Sequence, residues 1–338
     1  MLRYPEAWTR VTGLTFLLAP LSYLFCLGVA IRRGLYQLGL LRSERLPVPV
    51  IVIGNVSVGG TGKTPLVLWL ITRLLEAGYR PGVITRGYGG SSRHPRAVHA
   101  DSDTALCGDE PVLLARRSGG PVWIGKNRPA AARALLAASP DCNLIISDDG
   151  LQHYRLARDA EIAVVDAGRG HGNGWMLPAG PLREPPSRLT TVDAVVVRGA
   201  EDQPAPDAPS APSAPPRFTM TLEPAGLRNL RNASRYLTLG SLQNMRRVHA
   251  VAGIGNPQQF FDTLTQLGIA HTPHAFADHH AFVASDLAFS DCDAVVMTEK
   301  DAVKCEHFAV DTHWSLPVAA RVDDALVQVL LERIKRKR

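Results

Sequence analysis

The sequence predicts an α/β fold: a mostly parallel sheet organised round a phosphate-binding loop, a second and smaller α/β unit after it, and an apolar helical segment before it. Three observations carry that prediction. The first is the run Val50-Ile-Val-Ile-Gly-Asn-Val-Ser-Val-Gly-Gly-Thr-Gly-Lys-Thr-Pro65, where an apolar strand gives way to a glycine-rich turn and then to a helix. The second is the recurrence of short apolar strands with helical patterns between them, from Val50 to Val197 and again from Val248 to Thr298. Strands spaced in this way form crossover units in a parallel sheet. The third is the lack of any charged residue from Val11 to Ile31.

The loop defines the chemistry. Small residues at Gly59, Gly60 and Gly62 let backbone N–H groups close round phosphate oxygens, and the following helix N-terminus adds its partial positive charge. Lys63 is placed to reach β- and γ-phosphates, and the Thr64 hydroxyl to ligate Mg²⁺. The candidate ATP-binding residues are therefore Ser57, Val58, Gly59, Gly60, Thr61, Gly62, Lys63 and Thr64. One departure stands out. The strict pattern wants glycine five positions before Gly62, and this chain has Ser57. The context is that of a P-loop NTPase-type core, and the protein is expected to handle a nucleoside triphosphate.

Composition narrows the partners. At 338 residues the chain has room for about two domains. Its 46% hydrophobic and 20% charged content describes a folded protein. A net charge of +6 favours an anionic partner: a phospholipid surface, nucleic acid or an acidic substrate. Aromatics make up 6% and do not interleave with basic clusters, which argues against single-stranded nucleic acid. The five cysteines are scattered with no C-x-x-C, as expected of reduced cytosolic thiols.

Taken in order, the uncharged run 11–31 is long enough to cross a bilayer as a helix, which takes roughly 20 residues. Pro20 lies within it and is expected to kink or split the helix, so a pair of short helices dipping into one leaflet also fits, as does a buried core helix. Arg32, Arg33, Arg42 and Arg45 follow, and positive charge after the segment holds the rest of the chain on the cytoplasmic side. Beyond the phosphate loop, a second strand ends in Thr85-Arg-Gly-Tyr-Gly-Gly90, with Arg86 at the strand end where ligands collect in such sheets. Asp109, in Gly108-Asp-Glu-Pro111, opens a helix and by itself reads as an N-cap. The strand ending in Ser147-Asp-Asp-Gly150 delivers Asp148 and Asp149 into the crevice, the position of an acid that holds Mg²⁺. A long Gly/Pro-rich loop from Ala167 to Pro185 follows, with Arg183 and Glu184 at its charged tip.

Residues 200–216 are Pro/Ala-rich low complexity and read as an exposed linker or loop. Arg217 to Leu222 and Ser234 to Leu239 read as short strands that pair with each other. The second unit starts at Val248, with a helix opening at Pro257 and a last amphipathic helix from Asp323 to Ile334. His271, His274, His279 and His280 invite a zinc reading, which the missing cysteine pair and H-E-x-x-H weaken. Thr298-Glu-Lys-Asp301 looks superficially like a guanine-reading N-K-x-D. Lys300 and Asp301 are adjacent, however, so their side chains diverge and a GTPase reading loses weight.

Several of these segments together resemble one family, the tetraacyldisaccharide 4′-kinases, which act on lipid A precursors in Gram-negative bacteria. The matching pieces are Gly54 to Pro65, Thr85 to Gly89, Gly108 to Pro111 and Asp148 to His153, then Leu177 to Glu184, Asp278-His-His280 and Thr298 to Asp301. They span nearly the whole chain in the right order, and Ser57 belongs to that family's own version of the loop. The resemblance implies phosphate transfer from ATP, with Mg²⁺, to the 4′-hydroxyl of a tetraacylated glucosamine disaccharide 1-phosphate. It also implies a cytoplasmic enzyme on the face of the inner membrane, with a lipid substrate, a lipid surface, no nucleic acid and no obligate protein partner.

The implied domains are a membrane-associating helical segment at 1–34 and a P-loop kinase core at 35–216, carrying the 200–216 insertion. A two-stranded linker at 217–246 and a smaller α/β domain at 247–338 follow. By the same resemblance the catalytic candidates are Asp109, as the base that accepts the hydroxyl proton, and His279 from the second domain, with Asp149 as the competing base and His280 as the competing histidine. Thr64 and Asp148 would hold the metal, while Arg86, Glu110, Arg183 and Glu184 would line the substrate. The alternative is a P-loop GTPase or ATPase switch, or a metallochaperone, with no lipid acceptor.

Overall fold

The computed structural model describes residues 8–199 and 214–338, so the Pro/Ala-rich insertion at 200–216 falls almost wholly outside the described residues. In chain order the first elements are α1 (Gly13–Gln37), β1 (Val50–Gly54), α2 (Lys63–Glu76), β2 (Pro81–Thr85) and β3 (Arg96–Val98). Next come α3 (Thr104–Cys107), α4 (Asp109–Arg117), β4 (Val122–Ile124), α5 (Arg128–Ala138), β5 (Leu144–Asp148), β6 (Ala160–Asp166) and β7 (Ala194–Arg198). Then follow β8 (Arg217–Pro224), β9 (Leu227–Asn229), β10 (Tyr236–Leu237), α6 (Leu239–Gln243), β11 (Val248–Ala252) and α7 (Pro257–Gln266). The chain closes with β12 (Thr272–Ala275), β13 (Ala294–Thr298), α8 (Glu299–Cys305), β14 (His313–Leu316), β15 (Val318–Val322) and α9 (Ala325–Lys337).

Among the described residues these strands form two sheets. The larger has nine in the order β15-β8-β7-β6-β1-β5-β2-β4-β3, and the smaller has six in the order β10-β9-β14-β13-β11-β12. Pairing in the larger sheet is parallel from β8 through to β4, with β15 and β3 antiparallel at its edges. The strand β1 lies at its middle, covered on both faces, with Val50 to Ile53 at most 1% exposed. An uninterrupted apolar run is what a doubly covered parallel strand needs, and each such side chain contributes roughly 1.5–3 kcal/mol by leaving water. Register places Ile53 beside Asp148. The phosphate loop after β1 and the carboxylates ending β5 therefore emerge side by side at the strands' C-terminal edge.

Three expectations are corrected by the fold. First, α1 is one uninterrupted helix that runs through Pro20. Proline removes only its own N–H bond to the carbonyl four residues back, and the turns after it are pinned to the core. The Ser22 hydroxyl donates to the Met176 carbonyl at 2.8 Å, and Tyr23 meets Trp175 edge-on at 5.7 Å. The buried-core reading also fails, because only 11% of the helix's most apolar window is buried, and Phe16, Leu17, Leu24 and Leu27 are more than half exposed.

Second, Arg217–Pro224 does not pair with the segment near Ser234. Instead β8 extends the large sheet, parallel to β7 and antiparallel to β15, while β10 pairs with β9 in the small one. The crossing between sheets is thus made by the neighbouring strands β8 and β15, not by a separate linker over 217–246.

Third, the small unit ends near Leu316. Ala320 and the α9 stripe Leu326, Leu330 and Ile334 join the same hydrophobic cluster as Leu66, Leu70 and Leu74 of α2. Spacing of four residues puts that stripe on one helix face, and the face is spent on the core.

Candidate active site

The phosphate loop is shaped by its neighbours. A side chain at Gly54 would put its Cβ 2.6 Å from Leu151, so β1 ends where the Asp148–Leu151 turn crosses it. Gly62 caps α2 with φ at +82°, a conformation that glycine adopts without strain. The long loop after β6 lies along the near side. Val58 donates to the Pro181 carbonyl at 2.9 Å, Arg183 N–H to the Val56 carbonyl at 2.7 Å, and Ser57 forms an antiparallel bridge with Leu182. This bracing explains the departure from the strict pattern: Ser57 sits in a bridge with no positive φ, where a side chain costs nothing.

Lys63 points back over the loop, 3.3 Å from Asn55 Oδ1 and 3.4 Å from Asp149 Oδ1. Arg183 donates to both Asp149 oxygens, at 3.2 and 3.3 Å. Burial would raise the Asp149 carboxyl, but Lys63 and Arg183 overcome it and hold it well below the usual range. Asp148 is the opposite case. Burial, aided by the charge of Glu110, pushes it up to about 7 against the pull of Lys63. Its Oδ2 accepts a long hydrogen bond from Thr85 at 3.5 Å, and its Oδ1 is buried without a partner, as is the Thr61 hydroxyl. Two adjacent aspartates thus hold opposite electrostatic positions.

The second carboxylate site stands one loop away. Asp109 is not an N-cap: Gly108 holds that place, with φ at +89°, and Asp109 is the first helical residue of α4. A Cβ on Gly108 would lie 2.3 Å from the Tyr88 carbonyl, so the 87–90 turn and α4 need that glycine to close together. Asp109 Oδ1 accepts from the Glu110 N–H at 2.9 Å, and Oδ2 lies 2.9 Å from His279 Nδ1. Burial opposes its ionisation, yet the His279 hydrogen bond with Lys300 and Lys304 nearby keeps its carboxyl below the usual value.

His279 comes from the small unit and has φ at +60°, an uncommon conformation for a side chain-bearing residue. Its N–H reaches the Gly253 carbonyl at 3.2 Å, and its ring lies 5.1 Å from that of Tyr88. His280 turns away to Asp286 at 2.9 Å. Of the two histidines, then, His279 is the one beside Asp109.

The remaining candidates divide. Arg86 is exposed at the end of β2, close enough for its charge to act on Arg128 and His153. Glu110 pairs with Lys300 at 3.1 Å, and Arg183 is tied to Asp149. Glu184 does not line the site. It is 1% exposed, with Tyr154 donating to it at 2.9 Å and Arg188 paired to it at 3.1 Å, so two buried partners turn it inward.

The four clustered histidines also disperse to separate partners, and among the described residues no three metal-binding side chains gather. Lys300, Asp278, Asn55 and Tyr88 are site residues that single-residue reasoning passed over. Lys300 and Asp278 did stand inside the matching segments Thr298 to Asp301 and Asp278 to His280.

Comparisons with known proteins bear on the whole chain. The family model for LpxK, tetraacyldisaccharide-1-P 4′-kinase, matches residues 14–335. A tetraacyldisaccharide 4′-kinase of Azoarcus sp. is 50% identical over 334 residues, 99% of this chain and 96% of that one. One of Chromobacterium violaceum is 52% identical over 340 residues, 98% of both. A crystal structure of LpxK from Aquifex aeolicus in complex with ATP superposes with a TM-score of 0.81 at 30% identity, over 95% of this chain and 99% of that one.

Proposed function

Because the chain belongs to the tetraacyldisaccharide-1-P 4′-kinase family, it is an ATP-dependent lipid A 4′-kinase acting on a tetraacylated glucosamine disaccharide 1-phosphate, and we propose that its own residues divide that transfer between two domains. The observation that carries the proposal is the 2.9 Å contact between Asp109 of the nucleotide core and His279 of the small unit.

Phosphates belong to the core. The N–H groups of the loop from Ser57 to Gly62 and the N-terminus of α2 cradle them, and Lys63 exchanges Asp149 for the β- and γ-phosphate oxygens when ATP binds. Asp148 and Thr64 fit a Mg²⁺ ion. The partnerless Oδ1 and the raised carboxyl of Asp148 describe a buried acid short of positive charge. When bound, the ion would neutralise charge on the phosphates. Asp149 is a poor base, since two cations already hold its charge. Its role is to hold Lys63 beside the loop until ATP takes it over and to keep Arg183 in place throughout.

Asp109 accepts the proton of the 4′-hydroxyl as the sugar oxygen forms its bond to the γ-phosphorus and the bond from that phosphorus to the ADP oxygen breaks. A sugar hydroxyl is a weak nucleophile, so a positioned carboxylate accelerates this step. Lone pairs on Asp109 remain for the hydroxyl beside the two hydrogen bonds already made. Arg86, exposed at the end of β2, and Arg183 are the cations we assign to the acceptor's negative charge.

The acceptor is a membrane lipid, and α1 supplies the contact on the cytoplasmic face of the inner membrane. Its later turns are docked: Ser22 on Met176, Arg33 on Thr191 at 3.1 Å, and Tyr36 near Tyr154 at 5.8 Å. One face of the helix is docked in this way while Phe16, Leu17, Leu21, Leu24 and Leu27 stay exposed, so the helix lies against the core on one side and offers that apolar face to one leaflet. The test is transfer of labelled γ-phosphate from ATP to a purified acylated disaccharide 1-phosphate in detergent micelles. Wild type transfers it. ATP hydrolysis without transfer to the disaccharide would overturn the reading.

A further inference from the structure

The small unit docks on α4 through a row of charge pairs. Glu299 accepts from Arg117 at 2.6 Å, Glu306 pairs with Arg116, Lys300 pairs with Glu110 at 3.1 Å, and Lys304 lies 3.9 Å from Asp109. Lys304 meets the carboxylate of the proton-handling pair, whereas Lys300 meets its histidine. The Lys300 Nζ is 3.4 Å from Asp278 Oδ1 and 3.5 Å from His279 Nε2, and its side chain is 17% exposed. Burial would lower its pKa, but Glu110, Asp109 and Asp278 raise it above the ordinary lysine value, so it remains an ammonium ion.

An ammonium has three donors and no acceptor. Facing it, His279 Nε2 must present its lone pair, which leaves the ring proton on Nδ1, where it is donated to Asp109. The surroundings make that outcome depend on Lys300. The groups near the ring are the carboxylates of Asp109, Asp278 (3.7 Å from Nε2) and, through Lys300, Glu110, the cations Lys300 and Lys304, and the Tyr88 ring. Without the ammonium at Nε2 nothing holds the ring proton on Nδ1, and it can move to Nε2, which lies 3.7 Å from Asp278. With its proton on Nε2 the ring would turn a lone pair towards Asp109, and the carboxylate would lose the hydrogen bond that orients it.

We propose that Lys300 is a positioning residue that fixes His279 as the neutral Nδ1–H tautomer and so keeps Asp109 oriented to take the acceptor's proton. The inference rests on the reading of Asp109 as the base. Its physical core, the state of the imidazole, can be measured apart from activity.

The experiment uses the full-length enzyme with ATP and the acylated disaccharide 1-phosphate. Lys300→Gln, Lys300→Arg and Arg117→Gln are compared for kcat, KM for ATP, and the ¹⁵N shifts of the His279 imidazole. In Lys300→Gln, kcat is expected to fall by about 10- to 100-fold with little change in KM for ATP, and the ring to lose the fixed Nδ1–H pattern. Lys300→Arg restores both, because the charge and donors return. Arg117→Gln removes a neighbouring ion pair of the same interface and leaves the ring shifts as they are. An unchanged tautomer in Lys300→Gln overturns the inference, as does an equal fall in kcat in Arg117→Gln. If Asp109→Asn keeps wild-type turnover, the base is elsewhere, whereas the ¹⁵N pattern still reports whether Lys300 sets the ring.

Discussion

The supports named above for the phosphate loop come from one sheet and its own connections: β1 behind it, Asp149 from the turn after β5, and Arg183 with Leu182 from the loop after β6. The Asp109–His279 pair takes one member from each of two sheets, and each member is held by backbone that only a particular turn allows. On the proposed assignment the phosphate loop is complete without the small unit, while the Asp109–His279 pair is complete only when the small unit is docked on α4. In this arrangement nucleotide binding and phosphate transfer are separable properties, as expected when closure assembles the catalytic site.

That contrast can be broken or sharpened in several ways. Lys63→Ala should lower kcat/KM by about 10³-fold, since it removes the charge aimed at the transferring phosphate. Residual transfer within tenfold of wild type, measured with labelled ATP, would mean the loop is not the phosphate site. Glu184→Gln should act on the fold of the core and not on the acceptor. Breaking a buried ion pair costs about 3–5 kcal/mol, read as a lower denaturant midpoint, with KM for the acceptor close to wild type. A large rise in that KM instead would return Glu184 to the substrate site.

His279→Ala should lower kcat by about 10- to 100-fold and leave ATP binding by calorimetry unchanged, because Asp109 persists without its orienting partner. Weakened ATP binding would show that the two halves are not separable. The smallest effect concerns Asp148. Its carboxyl is raised to about 7, so the folded protein holds that proton more firmly than the unfolded chain, and stability from this group is lost as pH rises from about 4 to 7. In metal-free protein the Tm advantage of Asp148→Asn over wild type should accordingly grow across that window and level off above it. Adding Mg²⁺ should narrow the gap.

The same contrast explains what the sequence disclosed. The core's chemistry is written in contiguous runs, Gly54 to Pro65 and Ser147 to Gly150, where strand, turn and carboxylate follow one another and local pattern suffices. Asp109 and His279 are 170 residues apart, so only their membership of matching family segments joined them. The pairing of β8 with β15 is equally long-range, and two short strands carry no local mark of their partner. Residue type misled in two places. Glu184 looked like a charged loop tip because its fate depends on Arg188 one turn on and on Tyr154 far back in the chain. Pro20 suggested a break that docking of the next turns of α1 prevents.

The most direct measurement is single-turnover transfer of γ-phosphate to the acylated disaccharide by Asp109→Asn, alongside its affinity for ATP. A base assembled from two domains predicts a rate lower by about 10²- to 10⁴-fold with ATP affinity intact. Transfer at the wild-type rate would contradict it and place the proton on another group.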